Sequence, residues 1–199
     1  MAGKWAAGLC VSTVPTCSRR SFAALRRSFP AAELCIMGSD YGPGGMAETW
    51  ATSEGLTQGV HFLGSQPYPK LLAKLADSDL LLHPSLEETF GMSIAEAMSL
   101  GLPVVGGQAS GAVPWVIGEG GVVVDVTSVK EIESALVGLL SDLPAYQRCT
   151  QAARKRAQEN FAVDQVADAY EATYSNAIRH IGTTGRILAN AVMPGIRKI

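Results

Sequence analysis

His83-Pro-Ser-Leu-Glu-Glu-Thr-Phe-Gly-Met-Ser-Ile-Ala-Glu-Ala-Met-Ser-Leu-Gly-Leu-Pro-Val-Val105 is the stretch on which the reading of this chain turns. An apolar run ending at His83 reads as a buried strand. The segment from Gly91 to Leu100 reads as a short helix stopped by Gly101. Three carboxylates, Glu87, Glu88 and Glu96, lie around the helix start. A helix start offers unpaired backbone N–H groups and favours anions. The glutamates therefore either complement the helix dipole or hold a ligand.

Outward from this stretch, strand and helix signals alternate. Residues 8–14, 32–37, 60–63, 79–83, 103–105 and 121–126 read as strands. Residues 18–28, 46–52, 69–76 and 91–100 read as helices between them, and 129–140, 145–160 and 163–180 as helices near the end. The run Leu80-Leu-Leu82 is apolar without alternation. Such a strand is buried on both faces, as in a parallel sheet covered by helices. The fold class is therefore α/β, a doubly wound, Rossmann-like parallel sheet. The expected division is a domain over residues 1–180 and a tail or packing arm over 181–199.

Hydrophobic residues make up 47% of the 199 and charged residues 17%, enough for a substantial core. The net charge of −2 gives no basic field for nucleic acid. Cys10, Cys17, Cys35 and Cys149 are scattered, with no zinc-type spacing. They read as a reducing, cytoplasmic compartment, with Cys35 an inert core thiol. Arg186, Arg197 and Lys198 leave a peripheral position at the inner face of a membrane open. Arg154-Lys155-Arg156 reads as a solvated helix face. Gly42-Pro-Gly-Gly-Met-Ala47 superficially matches a dinucleotide fingerprint but reads as a loop.

In a doubly wound sheet, ligands bind beyond the carboxyl ends of the strands, where His83 to Gly91 lies. On one continuous helix, Glu88 and Glu96 would be about 12 Å apart along the axis. With Glu88 in the loop and Glu96 in the helix, both can face one extended ligand. Phosphates repel carboxylates but accept from backbone N–H groups such as those near Gly91. Carboxylates accept from paired hydroxyls, as on a sugar or ribose. Against this stands the match of Ser93-Ile-Ala-Glu96 to a capping box, with Glu87 and Glu88 as dipole complements.

The pattern Pro84-Ser85-x-x-Glu88-x-Phe90-Gly91-x-x-x-x-Glu96-Ala97-Met98-x-x-Gly101-x-Pro103-Val104-Val105 resembles the signature of GT-B glycosyltransferases of family 4, including their E-x7-E motif. Ala32-Ala-Glu-Leu-Cys-Ile-Met-Gly38 and Val60-His-Phe-Leu-Gly64 resemble two strands of that family. Ser110-Gly-Ala-Val-Pro114 resembles its G-G-x-P turn. The likeness extends over roughly residues 8–180 and is to the C-terminal, donor-binding half of a GT-B fold.

The resemblance implies a donor of the UDP- or GDP-sugar type and transfer of a hexose-type sugar with retention of configuration. It implies that Glu88 contacts the sugar hydroxyls as the catalytic-site carboxylate. Phe90, Gly91 and Met92 would present amides to sugar and diphosphate, with Ser85 beside them. Glu96 would bind the ribose, the loop after Gly64 would flank the base, and Gly38 would lie where the sheet opens. No metal or other cofactor is implied.

Two departures stand out. The family's Arg and Lys after the first strand are absent from Ser12-Thr-Val-Pro-Thr-Cys-Ser-Arg-Arg20, leaving Arg19 or Arg20 as substitutes or as an exposed helix face. The acidic residue after the G-G-x-P proline is Trp115, which reads as a packing or lid variant. The acceptor half is expected to lie outside this chain, which alone would not complete the reaction. The other reading is a non-catalytic nucleotide-sugar-binding or interaction module, with homodimerisation open.

Overall fold

The computed structural model describes residues 8–11 and 16–192, with side chains described from 17 to 180. Six strands form one parallel sheet: β1 (Gly8–Val11), β2 (Glu33–Met37), β3 (Val60–Gly64), β4 (Leu80–His83), β5 (Val104–Gly107) and β6 (Gly121–Val124). Their order is β3-β2-β1-β4-β5-β6. β1 pairs in parallel with both β2 and β4, so the chain reverses its direction of growth between β1 and β4. That switch point leaves a crevice at the carboxyl ends of the strands.

The helices are α1 (Thr16–Ser28), α2 (Met46–Ser53), α3 (Tyr68–Ala76), α4 (Met92–Ser99), α5 (Val113–Ile117), α6 (Val129–Ser141), α7 (Leu143–Asn160) and α8 (Val163–Val192). Leu80, Leu81 and Leu82 are at most 1% exposed, which is the two-sided burial expected of an apolar run. Each fully buried Leu of this kind contributes about 1.5–3 kcal/mol. Phe22 and Leu25 of α1 cluster with Ile132, Leu136 and Leu139 of α6. Ile94 and Met98 of α4, and Val113, Val116 and Ile117 of α5, are also buried.

The chain divides into two compact units, Met1–Gln158 and Glu159–Ile199. The sheet belongs to the first, so the boundary falls earlier than the expected residue 180. In the second unit α8 continues to Val192, where the sequence reading placed an aperiodic tail from 181. Gly182 and Gly185 are tolerated within a helix that long, at about 1 kcal/mol each relative to Ala. Residues 193–199, with Arg197 and Lys198, lie outside the described residues, as do 12–15 and the end of the expected first strand. Among the described residues, no helix is long and apolar enough to cross a membrane.

The basic run on α7 is more than a solvated face. Arg154 donates to the carbonyl of Leu100 at 3.3 Å, and Arg156 to that of Val116 at 2.8 Å. Both carbonyls lie at the ends of short helices, which have unpaired acceptors and a partial negative charge. Arg156 also bonds the carbonyl of Trp115 and lies over its indole at 5.4 Å. Trp115 thus packs against a cation while 57% exposed. Cys35 is buried, which pushes its thiol pKa up and fits an inert core role.

Candidate functional site

The site is built where β4 ends. After His83 the chain runs through an irregular loop to Gly91, which caps α4 at φ 88° and ψ 60°. This left-handed conformation suits glycine. A Cβ there would also lie 2.9 Å from Ile94 Cδ1. Since glycine has no side chain, nothing caps the helix start from that position. The amides of Met92 and Ser93, the first two residues of α4, have no possible intrahelical acceptor. Met92 is 64% exposed, Ser93 is half-buried and Gly91 itself is buried.

The capping-box reading of Ser93 and Glu96 does not hold. Gly91 is the cap and Ser93 is already the second helical residue. The first turn carries no acidic residue, so Glu96 does not complement the dipole there. Glu96 sits one turn inside α4 and is half-buried. It accepts a hydrogen bond from the phenol of Tyr68, which raises that phenol's pKa chiefly through this bond. Tyr68 opens α3 just beyond Gly64. No spacing in the sequence signalled this pair.

Glu88 lies in the loop, with its side chain 27% exposed. Its Oε1 accepts from the amides of Thr89 at 3.0 Å and Phe90 at 3.3 Å. The Phe90 amide, expected to face a ligand, therefore bonds Glu88 in this structure. Oε2 of Glu88 is 3.5 Å from Nε2 of His83, which is 2% exposed. Burial lowers the His83 pKa, and the Glu88 charge offsets this in part. Nδ1 of His83 is 3.4 Å from Oγ of Ser93.

Two neighbouring turns fix this loop. Ser85 Oγ donates to the carbonyl of Glu87 at 2.7 Å. Ala112 N–H donates to the carbonyl of Glu88 at 3.1 Å. A cavity of about 240 Å³ lies beside Ser85, lined also by Gln108, Ser110, Asp125 and Thr127. The Ser110–Pro114 segment forms the start of α5 rather than only a turn, with its proline in the first helical positions.

Gly38 and Gly64 meet across the ends of β2 and β3. Gly38 N–H donates to the Gly64 carbonyl at 3.0 Å, and Gly64 N–H to that of Tyr41 at 2.9 Å. The loop from Gly42 leads into α2, with Gly45 as its cap. Both candidate arginines are engaged by α2 or the residue ending it. Arg20 pairs with Glu54 at 3.1 Å on the surface. Arg19 is 6% exposed, donates to the Ala47 carbonyl at 3.3 Å, and stacks on Trp50 at 4.2 Å. No group of three or more metal-ligating side chains occurs among the described residues.

With a parallel sheet, a switch point and a glycine-capped helix start flanked by two carboxylates in place, comparison with known proteins is informative. The family described as "Glycosyl transferases group 1" matches residues 19–156, well over half of the chain. This chain belongs to the glycosyl transferases group 1. As a group 1 chain, it is 32% identical over 142 residues to the MMP alpha-(1->4)-mannosyltransferase of Mycolicibacterium hassiacum, covering 70% of this chain and 34% of that protein. The chain spans about a third of the length of the curated relatives that it matches.

Solved structures agree on the fold. The sucrose-phosphate synthase of Thermosynechococcus elongatus superposes with a TM-score of 0.72 at 20% identity, covering 89% of this chain and 47% of that one. The C-terminal domain of a group 1 glycosyl transferase from Francisella tularensis gives 0.66 at 19% identity, covering 79% of this chain and 87% of that domain.

Proposed function

We propose that this chain is the C-terminal, donor-binding half of a family 4-like, retaining GT-B glycosyltransferase that moves a hexose-type sugar from a UDP- or GDP-type donor. The observation that carries the reading is the start of α4. Gly91 brings no side chain to cap the start of the helix, and Glu88 and Glu96 lie on either side of that start in sequence. The amides of Gly91 and Met92 take the diphosphate, as helix starts do for phosphates. Glu96 accepts from the ribose hydroxyls, and Glu88 from those of the sugar.

The division of charge supports the assignment. Carboxylates aimed at phosphate oxygens would repel them, whereas aimed at hydroxyls they add charge-assisted bonds. Developing negative charge on the departing diphosphate is stabilised by fixed amides that need not reorganise during the reaction. Backbone donors, rather than a metal ion, carry that charge in this reading. Gly38 and the loop after Gly64 border the nucleoside, with Ser85 fixing the loop that holds Glu88. The acceptor half, and the group that activates the acceptor, belong to a partner domain.

Calorimetric titration of the chain with UDP, GDP, UDP-glucose and GDP-mannose tests this. The reading expects saturable binding of a sugar nucleotide that Glu96→Ala weakens for nucleotide and sugar nucleotide alike. Binding of none of these probes, or a Glu96→Ala variant that behaves as the parent chain, sinks it.

A further inference from the structure

The geometry points to His83 as the positioning residue that sets the orientation of the Glu88 carboxylate through a Ser93–His83–Glu88 chain of hydrogen bonds. The inference rests on the donor-site reading, in which Glu88 meets the sugar. His83 is the last residue of β4 and is 2% exposed, so its ring cannot turn freely. One nitrogen faces Ser93 Oγ at 3.4 Å and the other faces Glu88 Oε2 at 3.5 Å. Both separations are long for hydrogen bonds.

The surroundings select one tautomer. Burial keeps the ring neutral, so it carries a single proton. A proton on Nδ1 would turn the Nε2 lone pair toward a carboxylate, which is repulsive. A proton on Nε2 points it at Glu88 and leaves Nδ1 to accept from the Ser93 hydroxyl. The hydroxyl of Ser93 thus fixes the ring, and the ring fixes Glu88.

Acceptor counting gives the consequence. A carboxylate offers about four lone-pair sites. The Thr89 and Phe90 amides use Oε1. His83 N–H uses one side of Oε2, leaving the other for a ligand hydroxyl. A neutral donor holds the carboxylate without cancelling its charge, which an Arg or Lys at this position would do. Removing His83 leaves Oε1 held by the two amides but frees Oε2 to swing about that anchor, so the loss falls on sugar contacts and spares nucleotide contacts.

The test compares the parent chain with His83→Leu and His83→Gln, titrated with UDP, UDP-glucose, GDP and GDP-mannose. His83→Leu is expected to weaken sugar-nucleotide binding about tenfold or more and to leave the nucleoside diphosphate unchanged. His83→Gln, whose amide supplies an N–H near the place of Nε2, is expected to restore most of that loss. Equal losses for both ligand types, or none, overturn the inference. If His83→Leu does not fold, Ser93→Ala carries the same comparison, and the same two results overturn it.

Nitrogen-15 NMR of the imidazole reads the hydrogen-bond chain without any ligand. An Nε2–H tautomer whose shifts move in Glu88→Gln supports the chain, and an Nδ1–H tautomer overturns it. A parent chain that binds none of the four probes overturns the donor-site reading instead, a result distinct from the wrong tautomer.

Discussion

Gly111 lies directly beneath the Glu88 backbone: a Cβ added to it would be 2.2 Å from the Glu88 carbonyl oxygen. The next residue, Ala112, donates its amide to that oxygen at 3.1 Å. The loop that carries Glu88 is therefore seated on the turn before α5, and this seat accepts only glycine.

Gly111→Ala is expected to be strongly destabilising. The position has φ +46°, and the added methyl meets backbone, which cannot swing aside. Strain and overpacking together predict a loss of about 2–4 kcal/mol. Urea denaturation measures it, and a loss within error of zero would show that the seat is soft.

Arg156→Ala is expected to lower stability by about 1–2 kcal/mol through the end of α5, where it removes bonds to two carbonyls and a cation–π contact. Nucleotide affinity should not change, since these contacts lie at the far end of α5 from Gly111. Thermal unfolding and titration of the same preparation check both halves.

The lowered pKa of His83 makes a signed pH prediction. Above the ordinary value of 6.5 the ring is neutral in folded and unfolded chains and contributes nothing to the slope. As pH falls below that value, the unfolded chain takes up a proton that the folded one resists, so stability drops until the folded pKa is passed. Denaturation of the parent and His83→Gln chains at about pH 7.5 and pH 5 should show a smaller acid loss in the variant. Equal losses would mean that His83 does not titrate differently on folding.

Tyr68 bonds the carboxylate that the donor reading assigns to ribose hydroxyls. In Tyr68→Phe that competitor is gone, while the ring remains. Nucleoside diphosphate should then bind at least as tightly as to the parent chain by calorimetry. Weaker binding would mean that the phenol contacts the ligand directly or orients Glu96 for it.

The parallel sheet was legible because its strands are short apolar runs, of which Leu80-Leu-Leu82 is the clearest. Glu88 and Glu96 were legible as a pair because their loop and helix are adjacent in sequence. α5 was not, since five residues hold too little periodicity, although Pro114 is a helix-start signal. The capping box misled because a motif of spacing cannot tell which residue leaves the helical conformation; Gly91 does so two positions earlier. The end of α8 was missed because the residues after 181 show no clear helical periodicity. Tyr68 meets Glu96 only through the packing of α3 beside α4, and spacing carries no trace of that.

The division of labour at the start of α4 is tested most directly by amide NMR of the chain titrated with UDP or GDP. The account predicts that the Gly91, Met92 and Ser93 amides shift most and downfield, as donors to phosphate do. It predicts that the shift persists in Glu88→Gln. Binding that leaves those three amides unmoved, with its largest shifts elsewhere on the sheet, would contradict the central claim.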